Sequence, residues 1–228
     1  DDLEAAATLF ADQGDHIAAV ISEPIQGAGG VHLPPDGYLE GIRRLCDDHG
    51  ALLIFDEVIS GFGRTGQWFG AQHFGVTPDL ITFAKGVTSG YLPLSGVIAS
   101  RRVCEAFEEP GFVLRTGYTY SGHPASCAAG IANLELMDDE GLVERAAHVG
   151  ERIRSGLEAL QADGLIESWR GTGAVYAAEL GRESVQVRNE MMANGVIVRP
   201  IGTCLAICPP LIITDDEVGR VLDTMAEA

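Results

Sequence analysis

Three short apolar runs in this chain each end in a side chain able to do chemistry. Ile17–Ser22 is followed by Glu23, Ala51–Phe55 by Asp56, and Leu80–Phe83 by Ala84 and then Lys85. A lone charge is costly to bury, so each needs a partner or a bound group. Rim salt bridges would satisfy any one of them. Three arriving at the same kind of position point to a site, because ligands of parallel sheets collect outside the carboxyl ends of the strands. A lysine desolvated at such an end is a nucleophilic amine suited to a Schiff base. A carboxylate on the neighbouring strand could keep a heterocyclic nitrogen protonated. A lysine and an acid in those roles are what pyridoxal phosphate chemistry requires.

The elements that must position these groups alternate along the first half. The strands named above, with a fourth at Ser95–Ala99, alternate with helical segments, such as one capped at Asp36 that runs to His49 with Leu39, Ile42, Leu45 and Cys46 on one face and Gly50 as its stop. Runs apolar on both faces predict a mostly parallel sheet covered on both sides. The texture changes after residue 122. Long helical segments at 124–137 and 140–160 precede short strands near 165–169, 175–180, 196–199 and 205–208. Helices over 183–194 and from the Thr214 cap onward complete an α+β pattern. The expected division is a domain over 1–121 and a second over 122–228.

Composition excludes several classes. Of 228 residues, 46% are apolar and 21% charged, as in packed globular chains. The net charge of −18 repels nucleic acid and anionic membrane surfaces, and no apolar run approaches the ~18 residues of a membrane span. Cys46, Cys104, Cys127, Cys204 and Cys208 are odd in number and form no C-x-x-C pair. Reduced thiols and a cytoplasmic location are expected. The scattered histidines show no metal-ligand spacing, so no metal is expected. Residue 1 is Asp rather than Met, with an acidic helix start over Asp1–Ala5, so the chain is expected to begin inside a domain.

Gly61-Phe62-Gly63-Arg64-Thr65-Gly66 fits G-x-G-x-x-G, with Asp79 following at 18 residues from Gly61. The dinucleotide reading fails on context: Gly66, Gly70, Gly75 and Pro78 prevent the helix the motif should open, and Asp79 precedes a strand rather than ending one.

Taken together, Ser22-Glu23-Pro24-Ile25-Gln26-Gly27, Phe55-Asp56-Glu57-Val58 through Gly66, Ala84-Lys85-Gly86 and Thr119-Tyr120-Ser121-Gly122-His123-Pro124 closely resemble class III pyridoxal-phosphate aminotransferases of fold type I. The resemblance runs over essentially the whole chain. It implies part of the large cofactor domain followed by a small C-terminal domain. It also implies that Lys85 forms the Schiff base and shuttles a proton, Asp56 pairs with the pyridinium nitrogen and Val58 packs on the ring. Thr119 would bind the cofactor phosphate of the other subunit, placing the site at a homodimer interface. Arg199, in Val198-Arg199-Pro200, matches the arginine that binds a substrate carboxylate.

Gly90-Tyr91-Leu92-Pro93 and the Thr119–Pro124 segment are most similar to ω-amino acid or amine:pyruvate transaminases. Ala28 and Ile59 stand where glutamate- and ornithine-type relatives carry an acid and Gln. The implied reaction moves an amino group from an ω-amino acid or amine to pyruvate or a similar keto acid. The family's N-terminal half, with its Gly/Ser-rich phosphate turn and stacking aromatic residue, has no counterpart here. That half is expected in the same or another chain. The alternative is a truncated or split segment, inactive alone, that serves as an assembly partner.

Overall fold

The computed structural model describes residues 2–228 and divides them into two units. The first comprises residues through Pro24, Pro34–Gly61 and Gly70–Asp139. The second comprises Ile25–Leu33, Phe62–Phe69 and Glu140–Ala228. The division expected at 121/122 therefore differs from the observed one. The helix that opens at Pro124 groups with the first unit, and two short stretches of the first half group with the second.

The first unit is built on a four-stranded sheet in the order β1 (Ala19–Ser22), β2 (Leu52–Asp56), β3 (Leu80–Phe83), β4 (Gly96–Ala99). β1, β2 and β3 are parallel, whereas β4 runs antiparallel to β3, with Leu80 opposite Ala99 and Phe83 opposite Gly96. Leu53 and Phe55 of β2 alternate toward a core with Phe10 of α1 (Leu3–Gln13) and Leu39, Ile42 and Cys46 of α2 (Tyr38–His49). Burial of each such side chain contributes about 1.5–3 kcal/mol. Asp2 caps α1 by accepting from the Ala5 N–H at 2.9 Å. The α2 cap is Gly37 rather than Asp36, because the chain enters the helix through a left-handed residue (φ 76°). Gly50 ends α2 with φ 70°, which glycine adopts without strain.

Coverage on both faces, expected for this sheet, is not seen at its edges. Ile21 is 63% exposed and Val97 58%, so nothing in the described chain packs over these side chains. Short helices α3 (Gly70–His73) and α4 (Arg101–Glu105) follow β2 and β4. α5 (Pro124–Asp139) closes the unit.

The second unit holds a fully antiparallel sheet in the order β5 (Ser168–Thr172), β6 (Val175–Glu179), β8 (Cys204–Ile207), β7 (Arg199–Ile201). α6 (Leu142–Ala162) lays Ala146, Val149, Ile153, Leu157 and Leu160 on the core at helical spacing. α7 (Ser184–Ala193) contributes Val187 and Met191, and α8 (Asp215–Glu227) contributes Val218 and Met225. α8 opens with a capping box, in which Thr214 and Glu217 satisfy each other's backbone N–H. The two early stretches are tied into this unit by half-buried arginines. Arg170 Nε donates to the Gly30 carbonyl at 2.8 Å. Arg64 Nη1 donates to the Ala174 and Pro209 carbonyls at 3.0 and 2.6 Å, and burial lowers the Arg64 pKa. Among the described residues no helix is long and apolar enough to cross a membrane.

Candidate active site

Alternation along β2 sends Leu53 and Phe55 to the core and leaves Leu52, Ile54 and Asp56 on the other, half-buried face. Asp56 pairs in register with Thr82, and the next backbone bond runs from the Glu57 N–H to the Thr82 carbonyl at 2.9 Å. Lys85 follows Phe83, the last residue of β3, by two positions. The parallel pairing therefore brings Asp56 and Lys85 to adjacent strands at one carboxyl edge, with Glu23 following β1 at that edge. Asp56 Oδ1 accepts from the Val58 N–H at 3.1 Å, which orients the carboxylate across the turn it begins. Val58 is half-buried.

Lys85 is exposed, not desolvated as expected. It lies in a single 3-10 turn (Lys85–Thr88) that leaves the sheet edge, and its own backbone is left-handed, with φ 46°. It is also the only lysine of the sequence; the other cations among the 15 lysines and arginines are all arginines. That compositional signal is visible in the sequence and singles out Lys85 independently of any motif.

Glu57, next to Asp56, is fully buried and was not among the residues singled out from sequence. Its carboxylate accepts from Ser60 Oγ at 2.7 Å and from the Gly70 and Ala71 N–H groups at 2.5 and 2.7 Å. Burial pushes its pKa up and the Asp56 charge adds to this, against the three hydrogen bonds. Gly70 is required here: a Cβ would come within 2.9 Å of Glu57 Oε2 and 3.1 Å of Pro24 Cβ. Glu57 thus locks the turn bearing Asp56 and Val58 onto the start of α3. The signal for this role lies in a contact thirteen residues along the chain, which no local pattern announces.

Thr119 belongs to the same unit but lies in an exposed turn, braced by a bond from the Tyr118 N–H to Ser121 Oγ at 3.0 Å. His123 immediately precedes α5, its Nδ1 accepting from the Ser126 N–H at 3.4 Å. Arg199 belongs to the other unit, exposed at the start of β7 and paired with Ala206. The backbone thus unites Asp56, Val58 and Lys85; Thr119 and Arg199 stand on separate elements. The G-x-G-x-x-G stretch opens no helix: Phe62, Gly63 and Gly66 all have positive φ. Asp79 sits at the opposite end of β3, where it accepts from Arg43 Nη1 and the Leu53 N–H, both at 2.8 Å.

The lysine and acid at neighbouring strand ends fit the ring end of pyridoxal phosphate. Lys85 would offer an amine for the aldehyde, and Asp56 a carboxylate for the ring nitrogen.

Comparison with known proteins adds the family. The chain is 40% identical over 99% of its length to the omega-aminotransferase of Caulobacter vibrioides, of which it covers 53%. It is 42% identical over 93% of its length to the acetylornithine aminotransferase of Methanothermobacter thermautotrophicus, of which it covers 54%. A crystal structure of a thermostable four-fold mutant of the omega transaminase from Pseudomonas jessenii superposes with a TM-score of 0.91 at 37% identity. That match covers 98% of this chain and 53% of that one. The chain thus spans about half the length of the relatives it matches. The family described as "Aminotransferase class-III" matches residues 2–228. With that match over a sheet edge carrying the lysine and acid, the chain belongs to the class-III aminotransferases.

Proposed function

We propose that this chain supplies the Schiff-base half of a pyridoxal-phosphate transaminase site. The site would move an amino group from an ω-amino acid or amine to pyruvate or a similar keto acid. The observation that carries this reading is the sole lysine two residues beyond β3, beside Asp56 at the end of β2. When bound, the cofactor supplies a cationic ring that accepts electrons from the substrate carbon. Lys85 Nζ would hold the cofactor aldehyde, and its amine would carry a proton to or from the substrate carbon. The Asp56 carboxylate keeps the ring nitrogen's proton in place. Val58 would pack against the ring, and Thr119 would donate its hydroxyl to the cofactor phosphate across a homodimer. Arg199 receives substrate carboxylates with its planar fork. Ala28 and Ile59, lacking polar side chains, favour amine donors over ornithine-type ones.

The test is a visible absorption spectrum after addition of pyridoxal phosphate, followed by borohydride trapping and peptide mapping. One saturable adduct is expected, at Lys85, absent in Lys85→Ala apart from any at the terminal amine. Absence of a Lys85 adduct in the unmutated chain overturns the reading.

A second reading, an assembly partner without activity of its own, is favoured by the exposed apolar side chains Ile21, Val97, Ile98, Tyr118 and Tyr120. It predicts no turnover of amine and pyruvate by this chain alone, with turnover appearing when a complementary segment is added.

A further inference from the structure

The turn that carries Lys85 is held from a helix far along the chain. A φ of 46° puts Lys85 where a side chain crowds its own carbonyl, and Ser89 repeats this at 50°. Inside the segment the bonds are short-range. The Val87 N–H reaches the Ala84 carbonyl at 3.4 Å, the Ser89 N–H the Gly86 carbonyl at 3.1 Å, and Thr88 Oγ1 the Leu92 carbonyl at 2.6 Å.

From outside, Asn133 on α5 donates its side-chain nitrogen to the Gly86 carbonyl at 2.9 Å and to the Val87 carbonyl at 3.2 Å. One amide nitrogen carries two protons, so both carbonyls are served together. Three residues earlier on α5, a Cβ at Gly130 would lie 3.0 Å from Leu94 Cδ2 and 3.7 Å from the Val87 carbonyl oxygen. The first distance is tight and would press on Leu94, whereas the second is ordinary contact, so Gly130 marks where α5 lies against this segment. Asparagine is a poor mid-helix residue, and these two bonds give its place in α5 a physical reason.

We infer that Asn133 is a positioning residue for Lys85. By pinning the two carbonyls that follow Lys85, it holds the left-handed backbone that sets the direction in which the amine leaves the sheet edge. The inference rests on the reading of Lys85 as the cofactor-binding amine, and its first measurement stands apart from that reading.

Because the sequence has one lysine, ¹³C,¹⁵N-lysine labelling yields a single backbone signal. In the unmutated chain that signal reports left-handed geometry. Asn133→Ala is expected to move it toward the averaged position of a mobile residue, while the α5 amides keep their exchange protection. The second measurement is the Lys85 adduct with pyridoxal phosphate. Loss of the held conformer weakens it about fivefold to tenfold in Asn133→Ala. Asn133→Asp, which sets a carboxylate against the two carbonyls, weakens it further. A lysine signal unchanged by Asn133→Ala overturns the inference, whatever the chain does with pyridoxal phosphate. So does a changed signal with undiminished adduct affinity. If the unmutated chain forms no Lys85 adduct, the reading above fails, and the lysine signal alone decides whether Asn133 holds the turn.

Discussion

Asp56 and Lys85 are served by different parts of the local structure. Asp56 is steadied within its own turn by the Val58 N–H and by the neighbouring Glu57, which anchors that turn to α3. Lys85 stands exposed on a left-handed backbone. If Arg199 receives carboxylates as proposed, Arg199→Ala is expected to lower kcat/KM for keto acids by about tenfold or more while sparing simple aldehydes, since a charge-assisted hydrogen bond contributes roughly 1.5–3 kcal/mol. Equal losses for both acceptors would remove Arg199 from that role. The first pair was legible because a charge ending an apolar run is conspicuous in one dimension. Glu57 and Asn133 were not. One sits beside a more obvious acid, and the other acts on carbonyls 46 and 47 residues away. The exposure of Lys85 was also beyond reach of the sequence, because whether a strand end is covered depends on what packs over it.

Elements were read more fully than their orientation. β3 lies where expected, α2 ends at its glycine, and α8 opens on the Thr214 cap. The antiparallel setting of β4 was missed, although the link from Phe83 to Gly96 carries Gly86, Gly90 and Pro93 and has no room for the crossover helix that a parallel return needs. The start of β3 carries a prediction of its own. Burial works against ionisation of Asp79, but the Leu53 N–H with Arg43 and Arg102 outweighs it and holds the carboxyl below its ordinary value of 3.8. A lowered folded-state pKa means stability that is fully present above about pH 4 and lost as pH falls through the lowered value. Denaturant unfolding at a series of acidic pH values should show that loss, and Asp79→Asn should flatten it while lowering stability near neutrality. An unchanged acid limb in Asp79→Asn would place the sensitivity elsewhere.

On the scale of the whole chain, the sequence changes texture near residue 122, whereas the last stretch of the second unit opens at Glu140. Composition reports what an element is made of, not which core it joins. Ile25–Leu33 and Phe62–Phe69 are embedded in the first unit's sequence yet bond with the second. Residues 140–228 expressed alone would leave Arg170 without the Gly30 carbonyl, and the Ala174 and Pro209 carbonyls without Arg64. Buried groups left unmade cost about 1–3 kcal/mol each, so the excised piece should melt well below the same unit in the full chain. Equal melting temperatures would show the two stretches to be dispensable. The interleaving also constrains recombination. Exchanging the second unit between relatives at a single junction after Asp139 would graft a foreign sheet onto native Arg64 and Gly30. A chimera that keeps these bonds native must be spliced at 24/25, 33/34, 61/62 and 69/70 as well, so that Gly30 and Arg64 travel with the strands they serve.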